Sequence, residues 1–240
     1  MRRAPAFYAR PGSSLGDLIT VLHPPYTAWH LAYVVMGASL APRLDWPRLA
    51  GTLVAFLAGT GVAAHALDEW NGRPLGTRLS DTALLALAAA GFVAAGLVTV
   101  LGVRVISPWL LGWAAIGFLA ASAYPLEWWG GALHTDLGFA LSWGALPSLV
   151  GFWAQAERLS LPAVGMAAVA TLLSLAQRSL STPARHVRRR TERAVVLFDT
   201  PRGRDSWEEA ELLATWEAPL RWLTWAALTL AATLLALAGR

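Results

Sequence analysis

Three stretches of this chain bear side chains able to do chemistry, and each lies at the end of an apolar run. His65, Asp68 and Glu69 close the first. On a helix the imidazole shares a face with both carboxylates, at i+3 and i+4. The two carboxylates themselves point about 100° apart. Asn71-Gly72 and Pro74 favour a helix end directly afterwards, and Arg73 and Arg78 follow. Carboxylates that hold Mg²⁺ beside arginines supply what a diphosphate leaving group needs, which is charge neutralisation and bidentate donors. A helix cap with a surface ion cluster accounts for the same residues equally well. The second stretch runs from Tyr124-Pro125 through Glu127-Trp128-Trp129 to His134-Thr135-Asp136. Asp136 opens an apolar run, where a carboxylate suits the helix dipole. The third is Gln177-Arg178-Ser179, where polar side chains begin abruptly; a frayed helix end is its plain reading.

The elements that must position these residues are apolar and long. Seven segments are expected to cross a membrane: 26–41, 49–67, 82–103, 105–126, 137–156, 159–176 and 222–239. The chain is 56% hydrophobic and 14% charged, against about 25% charged in soluble domains. The reading is an all-α, polytopic transmembrane bundle forming one membrane domain over residues 1–240. Residues 1–25 form an N-terminal interfacial segment with a short helix over 15–22, and 26–176 hold six spans. A cytoplasmic loop with a short amphipathic helix covers 177–221, and the last span covers 222–240.

Every one of the 19 basic residues is arginine. With seven crossings, Arg2, Arg3, Arg10, Arg73, Arg78, Arg178, Arg185, Arg188, Arg189, Arg190, Arg193, Arg202, Arg204 and Arg221 share a side. Arg43, Arg48, Arg104, Arg158 and Arg240 fall on the other. This 14 to 5 split puts the N-terminus and the long loops in the cytoplasm. The same topology explains the pI near 10.3 without nucleic acid. The absence of lysine rules out a retinal Schiff base despite the helix count. With no cysteine there is no disulfide, thiolate metal site or Cys nucleophile. The first 25 residues lack the apolar stretch of a signal peptide. A bis-histidine haem between His30, His65 and His134 is disfavoured because they are expected at different depths.

The longest connection has its own organisation. Residues 185–193 are a basic run, read as a solvated flank or as a contact for anionic lipid headgroups. Residues 200–204 read as a turn, and Ser206 with Glu209 as a capping box. That box would open an acidic helix reaching Glu217, with Pro219 kinking the chain before the last span. Trp46, Trp70, Trp128, Trp129, Trp207 and Trp222 suit an interfacial aromatic belt.

Taken in order, these residues resemble the UbiA-type intramembrane prenyltransferase superfamily. His23-Pro24-Pro25 through Ala41 is similar to that family's opening span. Residues 63–69 sit where its first Asn-Asp-rich motif lies, and Arg73-Pro74-Leu75 looks like the Arg-Pro-Leu that follows it. Tyr124-Pro125, Leu137-Gly138 and Trp143-Gly144 match its central segment, and Gln177-Arg178 stands where its second acidic motif begins. The resemblance covers roughly residues 20–185 of the chain.

It implies a UbiA-like bundle in a bacterial or archaeal cell membrane. Such a bundle transfers a prenyl group from an isoprenoid diphosphate to an aromatic or lipid acceptor. Mg²⁺ would be held by Asp68 and Glu69; Asp199 or Asp205 in the long loop are candidate late carboxylates, at a spacing that is not the family's. His65, Asn71, Arg73, Arg78, Tyr124 and Arg178 would bind the diphosphate. The departures are specific: Gly72 replaces an aspartate, Arg178, Ser179 and Ser181 replace the second acidic set, and Trp128-Trp129 replace a basic pair. The alternative is a member that has lost the two-metal site and binds membrane lipid or a partner without turnover.

Overall fold

The computed structural model describes residues 4–239, so Arg2, Arg3 and Arg240 lie outside the described residues. The chain is mostly helical. We number the elements α1 (Ser14–Val21), α2 (Pro24–Ser39), α3 (Trp46–Trp70), α4 (Asp81–Val105), α5 (Leu110–Ala123), α6 (Asp136–Ala156) and α7 (Leu161–Arg190). A hairpin of β1 (Val195–Thr200) and β2 (Gly203–Glu208) follows, then α8 (Glu209–Ala238).

The helix starts obey local chemistry. Side-chain oxygens of Ser13, Asp45, Ser80, Thr135 and Ser160 accept from the first free backbone N–H groups of α1, α3, α4, α6 and α7. Pro24 and Pro25 occupy the first turn of α2, where no backbone N–H is needed.

Helix α2 is the centre of the bundle, and Trp29, Tyr33, Val34 and Met36 on it are fully buried. It packs chiefly on α6 and α8. The α2–α6 crossing is held close by two glycines. A β-carbon on Gly37 would stand 1.9 Å from the Ser148 carbonyl oxygen, and one on Gly151 2.2 Å from that of Val34. Small residues at such a crossing let two backbones touch. The outer helices carry large apolar side chains that face away from protein. Val93, Leu97, Leu101 and Val105 on α4, Leu172 on α7, and Trp222 and Trp225 on α8 are all exposed. An uncovered apolar surface of this kind belongs in lipid.

Among the described residues five helices are long and apolar enough to cross a membrane: α3, α4, α6, α7 and α8. The expected span 105–126 is trimmed to the 14 residues of α5, which reach only about 21 Å. Ser107-Pro108 and Tyr124-Pro125 end the helix on either side. Helix α2, with 16 residues, is short as well.

The expected loop 177–221 is the largest correction. Helix α7 continues without a break through Pro183 to Arg190, and α8 begins at Glu209 and runs through Pro219. The amphipathic helix and the last span are one element. The capping box that opens α8 is Glu208 with Glu211, because Ser206 is taken by strand pairing with Leu197.

Two helices loosen midway. Residues Leu57–Ala64 of α3 and Leu141–Ala145 of α6 are π-helical. Such stretches re-aim the side chains that follow them and recur at functional sites. The first ends at His65 and the second contains Trp143, and both residues face the same cavity.

Candidate anion-binding cavity

The helix ends meet around one cavity of about 90 Å³. Its walls come from α2, α3, α6, α7 and α8, with the N-terminal segment and the α5–α6 connection. Phe7 and Tyr8 lie on the N-terminal segment, and His23, Tyr26 and His30 at the start of α2. His65 and Asp68 come from α3, and Tyr124 and His134 from the α5–α6 connection. Phe139 and Trp143 belong to α6, and Gln177, Arg178, Arg185 and Arg189 to α7. Four of the five histidines of the chain therefore surround one space.

The wall holds polar atoms that lack partners. His23 Nε2 and the Tyr124 hydroxyl are buried without a hydrogen bond, and the buried His30 ring lies beside the Gln177 amide. Native interiors leave few such atoms, and a pair of them on one cavity points to something polar that belongs between them. His23 Nδ1 lies 2.5 Å from the Tyr8 hydroxyl. The His23 ring stands 4.4 Å from that of His65, and His65 Nδ1 donates to the Gly61 carbonyl at 3.2 Å. Tyr124 stacks on His134, with ring centroids 4.5 Å apart.

Burial pushes the Tyr124 phenol up to about 12 and that of Tyr8 well above its ordinary value, so both stay protonated. Burial also holds the His23 imidazole well below its ordinary value, and His65, Arg189, Arg185 and His30 add to that effect. His23 sits in the left-handed backbone region (φ 46°), which few residues with a β-carbon adopt.

Helix α7 supplies the charge. Arg178, Ser181, Arg185, Arg188 and Arg189 recur at helical spacing along one face. Arg178 donates to Asp136 at 2.8 Å and lies over the Phe139 ring. Arg188 forms a two-pronged pair with buried Glu217 at 2.5 and 2.8 Å. Arg185 bonds only to Ser181 and Thr182, and Arg189 to the Pro5 carbonyl. Among the described residues neither forms an ion pair with an acid. The carboxylate of Asp68 shares their cavity. The N-terminal segment is strapped across by Arg188 on the Ala4 carbonyl, Arg189 on that of Pro5, and Arg221 over the Phe7 ring.

Of the residues singled out by sequence, His65, Asp68, Tyr124 and Arg178 line this cavity. The others serve elsewhere. Glu69 is fully buried, and its carboxylate accepts from the backbone N–H groups of Leu75 and Thr77 and from the Thr77 hydroxyl, at 2.8–2.9 Å. It ties down the loop that follows α3. Asn71 donates to the Pro125 carbonyl at 2.8 Å. Arg73 binds the Leu79 carbonyl and Asp81. Arg78 pairs with buried Asp17 at 3.0 Å. Asp199 pairs with Arg204 on the exposed hairpin, and Asp205 caps the Ser206 N–H.

The other three carboxylates expected around Mg²⁺, Glu69, Asp199 and Asp205, thus do not share one space with Asp68. Among the described residues no three His, Asp or Glu side chains are grouped to hold a metal ion. The donor set does not fit the two-metal centre that the resemblance implies.

His23 and Tyr8 were not legible as site residues, and nothing in the sequence joined His30, Arg185 and Arg189 to one site. The arginines of 185–193 read as a solvated flank or as a contact for anionic lipid headgroups, because Gln177-Arg178-Ser179 looks like a helix end. Their spacing from Arg178 was the available signal. The three histidines expected at different depths, His30, His65 and His134, instead share the cavity.

The chain matches no protein-family model, and no curated protein and no solved structure matches it either.

Proposed function

We propose that this chain is an integral membrane protein that seats the anionic head of an isoprenoid-type lipid in the arginine–histidine cavity. The diphosphate head is the form the donors suit best. The observation that carries this reading is Arg185 and Arg189, which form no ion pair with an acid among the described residues, beside buried polar atoms that lack hydrogen bonds. Guanidinium groups match phosphate oxygens two at a time, and imidazole N–H groups and phenols supply the remaining donors. The bundle is UbiA-like in this reading. Residues from its three family-like stretches, His65 with Asp68, Tyr124, and Gln177 with Arg178, border the same space. The arginine-rich end faces the cytoplasm, in keeping with the positive-inside bias. Membrane lipids are the partners, and nucleic acid has no place in it.

A second reading is prenyl transfer to an aromatic or lipid acceptor. It is favoured by Asp68, whose carboxylate lines the cavity with no ion pair among the described residues. In that reading Asp68 holds a magnesium ion delivered with the diphosphate.

Thermal unfolding of the purified protein separates these readings. Geranylgeranyl diphosphate is expected to raise the melting temperature with or without Mg²⁺, and geranylgeraniol to leave it unchanged. Stabilisation only with Mg²⁺ supports transfer. Equal stabilisation by the alcohol contradicts an anion site.

A further inference from the structure

Anion binding by the arginines leaves His23 unexplained. Its ring is anchored on one side by Tyr8, and Nε2 on the other side is buried with no partner. Its backbone sits in the left-handed region directly before the Pro24-Pro25 start of α2. The side chain is thereby fixed where it borders the cavity. We propose that His23 binds a proton together with the anionic head, so that the cavity takes up its ligand as an anion plus a proton. The proposal rests on the anion-binding reading above.

The groups around His23 come from four places. They are Tyr8 on the N-terminal segment, Tyr26 and His30 on α2, His65 and Asp68 on α3, and Arg185 and Arg189 on α7. Burial, then the neighbouring His65, Arg189, Arg185 and His30, favour the neutral imidazole. An entering dianion reverses the local field and favours the imidazolium. The proton comes from solvent. A new N–H bond completes the ring, so that Nδ1–H donates to the Tyr8 oxygen and Nε2–H to a ligand oxygen. The Tyr8 phenol keeps its own proton, because its pKa is raised by the same burial.

The sign follows from linkage. The His23 pKa is low in the free protein and higher in the complex, so affinity falls as pH rises between the two values. Arginine stays charged throughout this range and contributes no slope. His30, His65 and Asp68 are the competing proton acceptors.

The test uses the full-length protein in detergent and two probes. Inorganic sulfate keeps its charge between about pH 5.5 and 8.5, so any slope belongs to the protein. Its affinity is expected to fall up to about tenfold per pH unit over part of that range. Inorganic diphosphate is then titrated by calorimetry in buffers of different ionisation enthalpy. Wild type and Asp68→Asn are expected to take up the same number of protons, and His23→Gln about one fewer. Tyr8→Phe, which keeps the ring and loses the anchor, is expected to move the sulfate midpoint. The wild-type sulfate slope needs no variant to fold. A flat sulfate affinity, or His23→Gln with the wild-type proton count, overturns the proposal while diphosphate binding stands. Failure of wild type to bind either anion at any pH removes the anion-binding reading and this proposal with it.

Discussion

Asp68 and Glu69 are neighbours in sequence with the same charge, and they live in opposite surroundings. Glu69 is sealed in protein and accepts three hydrogen bonds from the loop beyond α3. Asp68 borders a polar cavity shared with arginines and histidines, with no ion pair of its own among the described residues. A helix turns about 100° between adjacent residues, so the two carboxylates leave α3 in different directions. The pair teaches that a carboxylate beside a candidate motif residue can belong to the scaffold. What distinguishes them is the number of donors that reach each one.

That contrast makes unequal predictions. Glu69→Ala strands two backbone N–H groups and a hydroxyl in a buried loop, and is expected to destabilise the protein on the order of 4 kcal/mol. Thermal unfolding in detergent checks it, and an unchanged melting temperature would erase the distinction between the two acids.

Arg188→Ala leaves Glu217 buried and unpaired, so a loss of about 3 kcal/mol is expected in the same assay. It also frees the Ala4 carbonyl from the strap, so limited proteolysis is expected to cut the N-terminal segment faster. Unaltered cleavage would show that the strap does not depend on this arginine.

Asp199→Asn marks the other extreme. Its ion pair with Arg204 is exposed at both ends, and the change is expected to stay within about 0.5 kcal/mol with ligand affinity untouched. A lost diphosphate interaction in this variant would bring the hairpin into the site after all.

The sequence made the helices readable and their ends unreliable. Hydropathy sees a run of side chains facing lipid, so 82–103 and 137–156 appear almost unchanged as α4 and α6. It does not see what a helix does once it leaves the apolar layer. Helix α7 carries on through Ser179, Ser181 and Pro183 as an amphipathic rod, held by packing against α8 rather than by its own propensity. That continuation delivers Arg185 and Arg189 to the cavity.

The histidines were hidden for a different reason. Single imidazoles scattered over 111 positions, from His23 to His134, converge only after α2, α3 and the α5–α6 connection are packed. Local spacing carries no trace of that. Glu69 was misread as a cavity group because its partners, Leu75 and Thr77, are main-chain and hydroxyl donors that no charge pattern reveals.

The central claim is that the cavity attracts an anion through guanidinium groups, with Asp68 opposing that attraction. Diphosphate titrations of Asp68→Asn and Arg185→Gln in the presence of EDTA test it most directly. The account predicts opposite signs. Asp68→Asn binds a few-fold tighter because a repelling charge is gone, and Arg185→Gln about tenfold weaker because a charge-assisted donor is lost. Weaker binding in both variants, restored in wild type only by Mg²⁺, would contradict it and make Asp68 a metal ligand.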